Sequence, residues 1–159
     1  MQVDIDKIAE KVSVAARFDW TWTDADLDRF CAAEGWRIAE RTGPSAVLTT
    51  DLKLPRPEAW WRAEDGRVNR VLAFVADGLD ATDSETLRRV YDQFADISSA
   101  VESVVGPPTD RKAGADGEIR WALPKVVITL RLVKSTSLFL HFTNPEYQAW
   151  LDAPDEEAI

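Results

Sequence analysis

TDSETLRRVYDQFADISSAVESVVGPP, residues 82–108, and the stretch EIRWALPKVVITLRLVKSTSLFLHF, residues 118–142, together decide the fold class. In the first, Leu87, Val90, Tyr91, Phe94, Ile97, Val101 and Val104 recur near the 3.6-residue period of an amphipathic helix. Thr82-Asp83-Ser84-Glu85 supplies its start. Gly106-Pro107-Pro108 supplies its end, a C-terminal glycine followed by two residues that cannot continue a helix. In the second, Pro124 and Lys134-Ser135-Thr136-Ser137 separate three strand candidates, residues 118–123, 125–133 and 138–142. The middle one sets Val126, Ile128, Leu130 and Leu132 against Val127, Thr129, Arg131 and Val133. One side is fully apolar and the other mixed, as expected of a central antiparallel strand covered by a helix on one face. The polar interval from Thr109 to Gly117 reads as a loop.

Outward from this centre the pattern is consistent. Ile5, Ile8, Val12 and Ala15 share one helical face. After the aromatic linker Phe18-Asp19-Trp20-Thr21-Trp22, Thr23 reads as an N-cap with Asp26 three residues on, a variant capping box. That helix buries Leu27, Phe30 and Cys31 and stops at Gly35. Residues 36–40 alternate, 42–45 have turn chemistry, and 46–50 return. Residues 58–63 and 67–76 flank Glu64-Asp65-Gly66, a strong hairpin signal. Asn144 and Pro145 open a last short helix carrying Tyr147, Trp150 and Leu151, closed by Pro154. No internal repeat is evident. Residues 1–159 are expected to form a single domain, with 152–159 a frayed acidic tail. The fold class is α+β: a mainly antiparallel sheet packed by one long amphipathic helix, with N-terminal helices and a short C-terminal helix.

Composition narrows the function classes. The 159 residues hold 28 acids against 19 lysines and arginines, for a formal charge of −9. That balance opposes binding to nucleic acid, which needs cations to displace counterions, and to an anionic membrane surface. Apolar runs are too short and interrupted to span a bilayer, and residues 1–10 lack the apolar core of a secretory signal. Cys31 has no second cysteine to bridge, so a cytoplasmic location is expected. One histidine, His141, cannot build a histidine-based zinc site, and Cys31 adds at most one further ligand. Asp24-Ala25-Asp26-Leu27-Asp28 fails as a calcium loop, because Arg29 and Gly35 stand where Gly and Glu are required. No catalytic, cofactor or metal site is expected, and the chain does not read as an enzyme.

Seven tryptophans are the enriched class. Trp36, Trp121 and Trp150 are expected in the core. Trp60 and Trp61 are adjacent in a strand and must point to opposite faces, whereas Trp20 and Trp22 share one if the linker between the helices is extended. Tryptophan also anchors protein interfaces, and binding residues concentrate at loops and turns. Trp22, Asp24, Asp28, Trp60, Trp61, Glu64 and Asp65 are therefore the candidate partner-binding residues, directed at a protein with a basic surface.

The Trp20-Thr21-Trp22 lead-in, the Glu34-Gly35-Trp36 helix end and the closing Asn144-Pro145-Glu146-Tyr147-Gln148-Ala149-Trp150 resemble a broad group. It comprises small, acidic, Trp-rich α+β domains of actinobacteria and other high-GC bacteria, some of them similar to immunity proteins. The resemblance implies a non-enzymatic inhibitor that covers the active cleft of a cognate toxin. Alternatives are a secretion-type chaperone holding an exported client, and a small-molecule sensor with a Trp-lined pocket.

Overall fold

A computed structural model describes residues 4–77, 83–134 and 137–154. Two helices, α1 (Ile5–Arg17) and α2 (Asp26–Glu34), precede the strands β1 (Arg37–Thr42), β2 (Ser45–Thr49), β3 (Glu58–Glu64) and β4 (Arg67–Asp77). The long helix α3 (Ser84–Val105) leads into β5 (Asp110–Lys112), β6 (Glu118–Ala122), β7 (Val127–Val133) and β8 (Ser137–Thr143), and α4 (Pro145–Asp152) follows. The strands form one antiparallel sheet in the order β1-β2-β3-β4-β8-β7-β6-β5. A helix followed by a four-stranded meander thus occurs twice, and the two meanders join at β4 and β8. The repeat lies in topology and leaves no trace in the sequence.

Register explains how one sheet has two different faces, since successive side chains alternate between them. Ala46, Trp61, Val71, Phe142, Ile128 and Trp121 stand opposite one another across six strands, and all are buried. The row Leu48, Ala59, Ala73, Leu140, Leu130 and Ile119 is buried likewise. The N-terminal helices cover this face: Phe30 of α2 meets Trp61 at 5.8 Å and Phe142 at 6.1 Å, ring centre to centre. Helix α3 lies along α1 and touches the sheet at β7. The opposite face carries the row Val47, Trp60, Leu72, His141, Thr129 and Arg120, and beside it Arg62, Arg70, Thr143 and Val127.

Indole N–H groups tie loops to this core. Trp20 donates to the Ala15 carbonyl at 2.9 Å, Trp36 to Asp51 Oδ1 at 2.9 Å, and Trp121 to the Gly106 carbonyl at 3.0 Å. Trp61 is completely buried and its Nε1 has no acceptor.

The expected class and element order stand, with local corrections. Residues 110–112 lie in the interval read as a loop, yet they pair with β6 as an edge strand. The second helix begins at Asp26 after Ala25, not behind a Thr23 cap. The hydroxyl of Thr23 instead pairs with that of Thr21 at 2.8 Å. Tyr91 and Val104, counted on the buried stripe of α3, are 41% and 44% exposed because α1 covers only part of that helix. Trp150, expected in the core, is 70% exposed. Thr82, placed at the start of the long helix, and residues 155–159 of the expected tail lie outside the described residues; Asp152 is the last residue of α4.

Candidate functional site

Helix α4 sits on the open face of the sheet and is held from its edges. Asn144 caps it, accepting from the Glu146 N–H at 3.0 Å, and its own amide donates to the Val68 carbonyl at 3.1 Å. Arg67 pairs with Glu146 at 2.7 Å and Arg120 with Asp152 at 2.9 Å. The Arg70 guanidinium lies 5.8 Å from the centre of the Tyr147 ring. No residue of α4 is buried. Two of its apolar side chains face water: Trp150, stacked on Tyr147 at 5.7 Å, and Leu151, 42% exposed.

Three hollows meet around the first turns of this helix. One of about 440 Å³ is bounded by β2, β3, β4 and Tyr147. Another of about 200 Å³ lies between Asn69 and Trp150, and shares Asn69 and Tyr147 with the first. The third, about 290 Å³, adjoins it through Arg67 and Glu146 and runs to Thr21, Trp22 and the Asp65-Gly66 turn. Shared walls make them one groove, bordered by the lead-in to α2, the tip of the β3–β4 hairpin and α4.

The wall at the lead-in to α2 is rigid for a reason visible in Asp26. Its fully buried carboxylate accepts from the Thr21 N–H at 2.9 Å, the Trp22 N–H at 2.7 Å and the Thr21 hydroxyl at 2.6 Å, and meets Arg29 at 2.6 Å. Aiming two successive N–H groups at one carboxylate puts Trp22 at φ 57°, a left-handed conformation that costs a non-glycine residue about 1–2 kcal/mol. Charge-assisted hydrogen bonds to a buried acceptor offset that strain. The Trp22 carbonyl then accepts from the Val68 N–H at 2.8 Å, and the Thr23–Arg67 bridge fastens the lead-in to the hairpin.

The seven residues singled out from the sequence separate into two groups. Asp65 occupies the hairpin turn at φ 52° and borders the groove, Glu64 borders its far end, and Asp24 is exposed beside Gly66. Trp22 contributes to the wall, but its ring is stacked on Trp20 at 4.1 Å and its N–H is given to the Lys125 carbonyl, leaving 9% exposed. As an anchor it is corrected: the ring is core and only its edge is presented. Trp61 is corrected outright, since alternation turns it onto the helix-covered face. Trp60, its neighbour, is half-buried on the open face, 6.4 Å from Phe139. Asp28 is exposed at a distance from the groove, paired with Arg41 at 3.2 Å.

Sequence reasoning missed Arg62, Arg67, Asn69, Arg70, Glu146 and Trp150. The spacing of Tyr147, Trp150 and Leu151 puts them on one helical stripe, and that stripe reads the same whether it meets a core or water. The arginines carried no signal until the sheet register placed them together.

Burial shifts three titratable groups, His141, Cys31 and Glu34. Burial, with Arg70 and Arg131 nearby, lowers the His141 imidazole to about 3, so it is neutral at physiological pH. Burial, helped by Asp28, raises the Cys31 thiol to about 11. Glu34, under α1, is raised by burial to about 9 and both its carboxylate oxygens lack partners. Beside it the buried Lys11 ammonium donates to the Glu34 carbonyl at 2.6 Å and pairs with Asp51 at 2.6 Å. No group of three or more His, Cys, Asp or Glu among the described residues is arranged to hold a metal ion. No helix among them is long and apolar enough to cross a membrane.

No curated protein and no solved structure matches the chain. A family model does match, over residues 6–141, from α1 into β8, with α4 lying beyond the matched span. The chain therefore belongs to the DUF6301 family, a family of unknown function.

Proposed function

We propose that the chain is a non-enzymatic protein-binding inhibitor of the immunity type, acting in the bacterial cytoplasm by covering the active cleft of a cognate toxin. The observation that supports it is Trp150, 70% exposed and stacked on Tyr147 at the lip of a groove. A tryptophan held in place by a neighbouring ring loses little entropy on binding and buries a large apolar area, as interface anchors do. Around it lie the exposed carboxylates of Asp24, Glu64, Asp65 and Glu146 in a chain of net charge −9. Such a field speeds encounter with a basic cleft. The resemblance to immunity-like domains points the same way.

Co-expression with a toxin-like domain encoded beside this chain tests the reading. Wild type is expected to restore growth. Trp150→Ala is expected to weaken the complex by at least about 2 kcal/mol, the scale of an interface hot spot. Asp65→Lys is expected to slow association and flatten its salt dependence. Failure to protect, or a stable dimer of the chain bound to an unfolded client segment, would overturn inhibition in favour of a chaperone.

A further inference from the structure

The open face contains a pair of like charges with no internal compensation. Arg62 on β3 and Arg70 on β4 are register partners, directly opposite and on the same face. Like charges in that position repel and destabilise the strand pair. The chain does not lack carboxylates to neutralise them. Eight other arginines each have an acid within 4.0 Å among the described residues. Neither Arg62 nor Arg70 does, although Glu64 borders the same hollow. The Arg70 guanidinium lies over the Tyr147 ring at 5.8 Å, within reach of a cation–π contact. Around the pair lies the 440 Å³ hollow, whose wall includes the Asn69 amide and the apolar Leu72, with Trp60 next to Leu72 in the register. That volume is in the range of small-ligand sites, and the lining is mixed, with Ser45, Arg62, Glu64, Asn69 and Arg70 beside Ala63, Leu72 and Tyr147.

We infer that Arg62 and Arg70 form a carboxylate-recognition site, in which an acid flanked by an apolar group is held between the two guanidinium forks, with its apolar part against Leu72 and Tyr147. Both residues line one hollow, and the guanidinium fork suits the planar, two-oxygen geometry of a carboxylate. The acid can be a side chain of a polypeptide or a free organic acid, and the shared chemistry is the same. The site does not depend on toxin inhibition, because small probes report on it with the chain alone.

The sole histidine gives a clean readout, since His141 stands beside Leu72 in the register and has Arg70 and Arg131 as its nearest charges. Its ring signals in proton NMR are followed while the intact chain is titrated with three probes. These are the peptide Ac-Glu-Leu-Glu-amide, its Gln-Leu-Gln counterpart and succinate. The acidic peptide or succinate is expected to shift the His141 signals saturably. The Gln peptide is expected to bind at least about tenfold more weakly, the worth of a charge-assisted hydrogen bond. Arg62→Gln and Arg70→Gln are each expected to abolish the shift. Arg62→Gln is also expected to melt no lower than wild type, because it relieves repulsion, which separates lost binding from lost folding. Tighter binding of the acidic peptide than of succinate identifies a polypeptide as the source. Equal binding identifies a free organic acid. Equal shifts from the Gln and Glu peptides, retention of binding in folded Arg62→Gln, or no shift with either acidic probe would overturn the site.

Discussion

Trp60 and Trp61 are neighbours in the chain and end in opposite environments. Trp61 is sealed at 0% exposure between Phe30, Trp20 and the row from Ala46 to Trp121. Trp60 lies half-buried on the far side of the same sheet, with Phe139 beside it. The helix-covered face packs large apolar side chains against α1 and α2 and uses indole N–H groups to pin the connecting loops. The open face interleaves Trp60, Leu72 and Phe139 with Arg62, Arg70, Arg120 and Arg131, and the helix that lies on it, α4, has no buried residue. Tryptophan stands on both faces, and register decides which environment each one meets. The first sets stability, and the second carries the residues on which the proposed recognition rests.

The largest expected difference between them comes from truncation. Trp61→Ala removes a completely buried ring and leaves a cavity that neighbours on six strands cannot collapse to fill. A loss of about 3–5 kcal/mol is expected in chemical denaturation. Trp61→Phe is expected to cost clearly less, because it keeps an aromatic ring and removes an N–H that has no acceptor. Trp60→Ala on the open face is expected to cost less than either. A Trp60 variant as damaging as Trp61→Ala would break the distinction between the faces.

How much of this was legible follows from which signals are local. Asp65-Gly66 at φ 52° and 78° is the left-handed pair that the Asp-Gly signal announces, and it fixes the β3–β4 register. The alternation of residues 125–133 gave a central strand with one apolar side, and the opposition of Trp60 and Trp61 followed from period two alone. The charged groove was not legible. It depends on β4 pairing with β8 across the two meanders, which brings Asn144 and α4 to the hairpin tip. No local pattern encodes that pairing. Asp26 was similarly opaque: the spacing from Thr23 suggested a cap, while the carboxylate in fact organises the residues before it.

The helix-covered side also contains a buried acid that works against its stability, which offers a second way to sharpen the comparison. Glu34 is raised to about 9 from an ordinary 4.5 by burial. Between those values the folded chain holds a proton that the unfolded chain releases. Stability therefore falls as pH rises through that window. Glu34→Gln keeps the shape of the protonated acid without titrating. It is expected to stabilise the fold at pH 7 by about 2–3 kcal/mol and to flatten the decline between about pH 5 and about pH 9. Denaturation midpoints across that range check it. An unchanged slope would mean that Glu34 ionises in place, with Lys11 close enough to neutralise it.

The smallest expected effect on stability belongs to Trp150, and its smallness is the informative part. With 70% of the residue in water and its ring stacked on Tyr147, removing the indole gives up a ring stack at a helix whose attachment rests on Asn144, Arg67 and Arg120. Surface substitutions of that kind fall within about 0.5 kcal/mol. Trp150→Ala should then melt with wild type while losing whatever the groove binds through its lip. If instead it unfolds the chain by as much as a core truncation, α4 is a structural strap over β4, β6 and β8. The exposed tryptophan would then belong with Trp61 and not with the surface, and the division of labour between the two faces would fail at the point where it was expected to be cleanest.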